Sequence, residues 1–568
     1  MGSILPQDDS KKVALDTSGP TNACDTSSIQ RASIYMTNAQ TKRGLSPRHV
    51  QLMAIAGSIG TALFVGIGGA LSKAGPLSLS LGYLFWSMFF ILPCTLSVAE
   101  MCAYLPIRGS IFELAGRFVD PALGFSMGWT YFYGGVMLVC VEYSAVATVM
   151  QYWNTSINAG VWVAMALVVC FLLNVIAVKW YGESEFVMAS TKVILIIGLI
   201  LLTLITMCGG NPRGDAYGFR YWGNGNAMHA YYTDGAAGRF LGFWSVVIYA
   251  AFTIGGPDLI CFTAGEIQNP RKTIPRVARL IFYRLAFFYV VGVFAVGIIC
   301  SSRDERLLNA LGSGASGAAA SPWVIGIQNL GIHGLPDVIN AVILLSGWRV
   351  YLLSCGNAYL YSTSRSLYGL ARDGLAPKVF AKCTNTGVPI YSVIAVTLLS
   401  CLSFLVVSNS SVTVFYWFVD LTTGGFVYVY TCMLLTFIGW HRALKAQPDI
   451  VPESSLPYLS PFRPYGAYFA FVLGCIFLLF IGWDTFSPFD VEGWITYYFA
   501  TAFGPLMFVV GKLLKKTKWV KPSQADLISG KAEVDEECQV WEDPAAVEKE
   551  RLRLQHMYWL RRFWERLW

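Results

Sequence analysis

Apolar residues run along this chain in long blocks, separated by short polar joints. A block of about 20 mostly apolar residues is what an α-helix needs to cross a hydrocarbon layer. On that rule the chain predicts spans at 48–71, 77–101, 122–149, 159–178, 184–207, 239–262, 280–300, 337–363, 389–407, 412–440, 465–483 and 494–514. The count is twelve, so both ends fall on the same side of the membrane. Charge in the joints orients them, because Lys and Arg gather in cytoplasmic loops. Arg271, Lys272, Arg276 and Arg279 follow the sixth span, and Arg365, Arg372, Lys378 and Lys382 the eighth. Arg442, Lys445 and Arg463 follow the tenth, and Lys512, Lys515, Lys516 and Lys518 the twelfth. The joint 150–158 has no charge and 484–493 is acidic. Both termini are therefore expected in the cytosol. The sequons at Asn154 and Asn409 fall in joints expected outside, close to the membrane.

Composition agrees with a polytopic membrane protein. Of 568 residues 55% are hydrophobic and 13% charged, with mean hydropathy +0.52, where soluble domains carry about 25% charge. The first 45 residues are polar, Ser/Thr-rich and without an apolar core, and read as a disordered N-terminal tail with no cleavable leader. Residues 46–518 are expected to form a transporter core and 519–568 a cytosolic tail. The end of that tail, "KERLRLQHMYWLRRFWERLW", suits either an amphipathic surface helix or a regulatory docking segment. The net charge of +7 is accounted for by the basic joints and calls for no nucleic acid. Fourteen cysteines are mostly isolated in apolar blocks and read as small buried hydrophobes. No metal-ligand spacing, phosphate-binding glycine loop or nucleophile constellation is present, so no cofactor, enzyme or ATP-driven pump is expected.

Two spans invite a break. "GSIGTALFVG", 57–66, is glycine-rich, and "FTIGGPDLICFTAGEIQNP", 252–270, carries Gly255, Gly256 and Pro257 in mid-span. Irregular backbone survives at membrane depth only where it lines a cavity or is buried in protein. Breaks five spans apart, in the first and sixth, fit an inverted repeat with a substrate site between its halves. Amides freed at Ser58–Thr61 would favour a carboxylate, and carbonyls freed near Phe252–Gly255 an ammonium. An α-amino acid carries both. Close helix packing is the alternative use of such glycines.

The stretches "GSIGTALF", "FTIGGPDLICFTAGEIQNPRKTIP", "SCGNAYLYSTSRSLYGLARDGLAPKVFAKCTNTGVPIYSV" and "SPFRPYGAYFA" resemble the fungal amino-acid permeases of the amino acid–polyamine–organocation superfamily, in order over about residues 42–520. The resemblance implies an all-α, LeuT-like fold of twelve helices with a five-plus-five inverted repeat and broken helices 1 and 6. It implies proton-coupled amino-acid uptake by alternating access at the plasma membrane. By motif, Ser58, Gly60, Thr61 and Ala62 hold the substrate carboxylate, Phe252 is an aromatic gate, and Thr253, Ile254 and Gly255 form the broken helix. Members commonly read Gly-Thr-Glu where this chain has Gly256-Pro257-Asp258. The acid, Asp258, is expected among the substrate-binding residues, but it is shortened and an N–H is lost beside it.

Ionisable residues inside spans are functional candidates. Lys192 lies where related carriers place a lysine in lieu of sodium, and is expected to couple protons. Glu142 is expected to contact the substrate or pair with Lys192. Glu100 reads as an interfacial or gating residue, and Asp420 adds negative charge where members often have asparagine. The partners implied are an amino acid, protons, membrane lipid, and trafficking or ubiquitination machinery on the tails. Rival functions are a carrier of polyamine-, choline- or carnitine-like ammonium compounds, and a non-transporting amino-acid sensor. In the eighth span, "SGW" would join "SCGNAYLY" directly if Arg349–Leu353 were absent. Five extra residues turn a helix by about 500°, a net rotation near 140°. They read as an insertion arising from a gene-model error, a helix bulge or an altered carrier.

Overall fold

The computed structural model describes residues 63, 64, 66–106, 111–151, 153, 154, 156–176, 181–223, 225–264, 267–312, 321–345, 354–384, 388–542, 548 and 552. These belong to one contact unit, residues 42–568. Among them the backbone is helical apart from turns and one isolated bridge between Phe486 and Phe489. Seven helical runs are long and apolar enough to cross a membrane, and shorter apolar helices cover Ala159–Val175, Thr191–Met207 and Ala286–Ile299.

The first two predicted spans meet in one run. Helix α1 (Ile67–Trp86) turns a corner at Gly75, whose φ of 82° suits glycine, with Pro76 after it. A π-helical segment, Ser87–Ile91, joins it to α2 (Leu92–Tyr104). Helix α3 (Ile111–Phe118) leads to α4 (Pro121–Met150). Asp120 caps α4 by accepting from the Ala122 amide at 2.8 Å, and Pro121 opens the helix where no N–H is required. Next come α5 (Ala159–Ile176) and α6 (Tyr181–Met207). The sixth predicted span is two helices, α7 (Gly235–Thr253) and α8 (Pro257–Thr263). Helix α9 (Pro270–Ile299) is followed by α10 (Glu305–Gly312) and α11 (Pro322–Asn329), short helices absent from the sequence-based expectation. The eighth span is α12 (Leu335–Leu345) and α13 (Ser354–Arg372). The suspected insertion, 349–353, lies outside the described residues. The rest are α14 (Ile390–Ser400), α15 (Ser411–Ala446), α16 (Tyr465–Leu479), α17 (Val491–Lys515) and α18 (Lys531–Glu542).

Helix α4 is the centre of packing, touching α3, α5, α13, α15 and α17. Its glycines let neighbours approach: a Cβ on Gly128 would meet Leu370, and one on Gly135 would meet Thr363, both on α13. Helix α1 packs on α7 and α9, and α8 on α2.

Residues after 518 pack onto this body. The Val520 amide donates to the Val119 carbonyl at 2.9 Å. Gln447, ending α15, donates to the carbonyls of Pro522 and Ala525 at 2.7 and 3.0 Å. The Tyr104 hydroxyl donates to Leu527 at 3.1 Å, and Arg117 to Ser529 at 2.8 Å. Asp535 pairs with Arg271 and, at 2.9 Å, with Lys531. Ala525, Leu527, Val534 and Cys538 are buried there. The helix expected at the extreme C-terminus falls outside the described residues.

Candidate functional site

The sixth-span break is built by four consecutive residues. Ile254 leaves helical geometry (φ −100°, ψ 97°) while its amide still donates to Ala250 at 2.9 Å. Gly255 leaves room for a hydroxyl: a Cβ there would stand 3.1 Å from the Tyr430 oxygen. Gly256 has φ 135°, a conformation that side chains other than glycine's rarely adopt. Pro257 opens α8, where its missing N–H costs nothing. Asp258 follows in the first turn, buried.

Both oxygens of Asp258 are engaged. Tyr131 on α4 donates to Oδ2 at 3.1 Å, and Tyr430 on α15 donates to Oδ1 at 3.0 Å. Among the described residues no lysine, arginine or histidine forms an ion pair with it. The break also borders a cavity lined by Ser87, Ile91, Thr95, Ile254, Gly255, Gly256, Phe282 and Ala286. The π segment thus faces the broken helix; such single-turn widenings occur often at functional sites.

The end of the first predicted break lies at the start of α1. The Phe64 carbonyl accepts from Ser321 at 2.6 Å, and the Gly66 carbonyl from Tyr416 of α15 at 2.9 Å. A Cβ on Gly66 would collide with the Tyr249 hydroxyl of α7. Side-chain hydroxyls thus add to the backbone at the start of α1, where the Gly66 carbonyl also accepts from the Gly69 amide at 3.3 Å. Thr253 is buried and donates to the Tyr83 hydroxyl at 3.1 Å. Phe252 is half-buried with its ring 6.3 Å from Tyr249.

Other sequence candidates lie elsewhere. Ser58, Gly60, Thr61 and Ala62 are outside the described residues. Glu142 is buried on the face of α4 that carries Tyr131, eleven residues on, which is about 16 Å along the axis. Its electrostatic neighbour is Cys170 of α5. Lys192 is buried on α6. Asp420 is half-buried, has Lys73 of α1 and Tyr497 of α17 as electrostatic neighbours, and lies ten residues before Tyr430, about 15 Å along α15. Glu100, at the end of α2, accepts from the Ser460 amide at 2.8 Å and hydroxyl at 2.6 Å and pairs with Arg463, which also binds Glu453. The tyrosines Tyr131, Tyr430, Tyr83 and Tyr416 were missed from sequence. A tyrosine in an apolar span is itself a signal, because its hydroxyl must find a partner when buried.

A helix opened inside an apolar bundle, beside hydroxyls, is the kind of site that membrane carriers use. Residues 49–527 match the amino acid permease family. The chain is 40% identical to the proline-specific permease of Emericella nidulans, covering 88% of this chain and 90% of that one. It is 37% identical to the dicarboxylic amino acid permease of Saccharomyces cerevisiae, over 88% and 82% of the two chains. It is 36% identical to the lysine-specific permease of the same yeast, over 88% and 80%. The chain belongs to the amino acid permease family. It is a multi-pass membrane protein that carries amino acids, not an enzyme.

Proposed function

We propose that the chain is a proton-coupled amino-acid importer of the plasma membrane, with twelve spans in a five-plus-five inverted repeat and both termini in the cytosol. In this reading the first break, at Ser58, Gly60, Thr61 and Ala62, binds the substrate carboxylate. Backbone carbonyls freed at Thr253, Ile254 and Gly255 receive its ammonium, and Phe252 closes over it. Lys192 and Glu142 take part in proton coupling. The observation that carries the reading is the opened helix at Ile254–Pro257, with the buried carboxyl of Asp258 in the first turn after it. Two chemically different ends of a broken helix pair match the two charges of an α-amino acid.

The relatives are named for proline, dicarboxylic amino acids and lysine, so they span neutral, anionic and cationic side chains. An ammonium carrier would want Asp258 open to the ligand, whereas both of its oxygens already accept from tyrosines. Uptake competition in permease-deleted yeast expressing this chain, with a panel of amino acids and amines, tests the reading. Amino acids are expected to compete and decarboxylated amines to fail. Strong competition by amines supports the ammonium carrier. Ligand binding without uptake in proteoliposomes supports a sensor.

A further inference from the structure

We infer that Asp258 is a proton-binding site of this carrier, and that its proton state sets how firmly α8 is tied to α4 and α15. The inference rests on the proton-coupled reading above and adds a residue and a mechanism to it.

The argument begins with the surroundings of the carboxyl. Among the described residues, the groups facing it are weak acids or neutral donors: Tyr131 from α4, Tyr430 from α15, Cys94 from α2, Cys261 from α8 itself, and the backbone at Gly256 and Asp258. On the neighbouring elements, Glu100 of α2 pairs with Arg463 and Arg279 of α9 lies over the Tyr458 ring. Arg117 of α3 engages Glu113, Asp526 and Ser529, and Arg271 of α9 engages Asp535. A carboxylate taken out of water without a cation costs several kcal/mol, and two phenol donors return only part of that. Uptake of a proton removes the charge and with it the penalty. The site holds either form. As carboxylate, Asp258 accepts from both tyrosines. When a proton adds to Oδ1, the new O–H donates to the Tyr430 oxygen, whose own hydrogen turns away. No bond other than the carboxyl O–H is made or broken, and the proton leaves as it came.

Its place in the chain gives this exchange a mechanical reach. Asp258 is two residues from Gly256, the pivot of the break, and α8 is only seven residues long. Tyr131 and Tyr430 sit on the two helices with the most extensive mutual packing in the described structure. The pair of hydrogen bonds therefore fastens the movable half of a broken helix to the rigid part of the bundle. The charged carboxylate makes two charge-assisted bonds, the neutral acid weaker ones. The cavity at Gly255 and Gly256 is also lined by the polar side chains of Ser87 and Thr95.

The experiment uses the full chain in cells lacking their own permeases, and in proteoliposomes preloaded with unlabelled substrate. Asp258→Asn keeps the shape and the hydrogen-bonding capacity but cannot take a proton. It is expected to lower concentrative uptake at pH 5 by about tenfold and to flatten its pH profile, while counterflow, which needs no net proton movement, stays within about twofold. Tyr430→Phe, which removes one donor and no titratable carboxyl, is expected to displace the midpoint of the pH profile by about half a unit. Parent-like, pH-driven accumulation by Asp258→Asn overturns the assignment. So does loss of counterflow together with accumulation at normal surface level, which would place Asp258 in substrate binding. If Asp258→Asn fails to reach the membrane, an unmoved midpoint in Tyr430→Phe overturns the inference. A parent whose uptake ignores a protonophore sinks the proton-coupled reading itself, and that arm is independent of the variants.

Discussion

Two polar regions of this permease are organised on opposite principles. At the helix break the charge among the described residues is Asp258, which accepts from two tyrosine hydroxyls. At the face where the C-terminal segment docks, charges come in pairs: Asp120 with Lys512, Glu100 with Arg463, Asp535 with Arg271 and Lys531. Paired charges resist change, because removing either partner strands the other. A lone carboxyl between phenols can change state without stranding anything. The docking face is built to hold together and the break to respond, and the difference lies in whether a cation was placed within reach.

The sharpest way to break that comparison is at the pivots. Gly60→Val is expected to abolish substrate binding, by crowding the amides that the proposed carboxylate site needs. Gly256→Val forces a branched side chain into φ 135° and is expected to reduce uptake to background with surface level retained. A radiolabelled uptake assay paired with surface labelling checks both, and parent-like uptake in the second would show that the break does not depend on that conformation.

Next in size is the docking face. Asp120 is fully buried, caps α4, pairs with Lys512 and accepts from the Thr517 hydroxyl at 2.7 Å. Asp120→Ala is expected to cost about 3 kcal/mol, as loss of a cap plus a stranded lysine, seen as a lower melting temperature in detergent. A change within error would mean that the pairing contributes little.

The two regions should also differ in pH response. Burial alone would raise the Asp535 carboxyl, but hydrogen bonds from Lys531 and Arg271 outweigh it and hold the group below the ordinary carboxylate range. Burial likewise opposes, and hydrogen bonds from Ser529 with the nearby Arg117 reverse, the shift at Asp526. A carboxyl lowered in the folded state stabilises docking above its unfolded value and loses that contribution as pH falls through the folded one. Protease protection of residues 519–541 is therefore expected to be flat from about pH 7 to 5 and to fail only below about pH 4, while uptake changes across the upper range. Release of the segment near pH 6 would contradict the pairing argument.

The smallest effect is expected at Ser321, whose hydroxyl serves the Phe64 carbonyl. Ser321→Ala should cost about 1 kcal/mol and weaken transport modestly, a useful lower bound for the hydroxyls that support the open helix ends.

Much of this architecture is local in origin and could be read from the chain. Apolar blocks give helices at membrane length wherever twenty or so such residues run together. Gly255, Gly256 and Pro257 announce their break through backbone sterics alone, and the acid beside them is visible without coordinates. What the sequence could not determine is which groups meet. Tyr131 and Tyr430 stand 127 and 172 positions from Asp258, and no periodicity links them. The helices α10 and α11 are short, and their burial comes from the bundle they settle into. Residues 519–541 read as a charged tail because their few apolar side chains, Leu527 and Val534 among them, show no membrane-length pattern. Their partners, Tyr104, Arg117, Arg271 and Gln447, come from four separate elements. Local sterics set where this chain bends. Only the tertiary structure, by closing helices far apart in sequence around one carboxyl, decided that Asp258 would face two hydroxyls and, among the described residues, no cation.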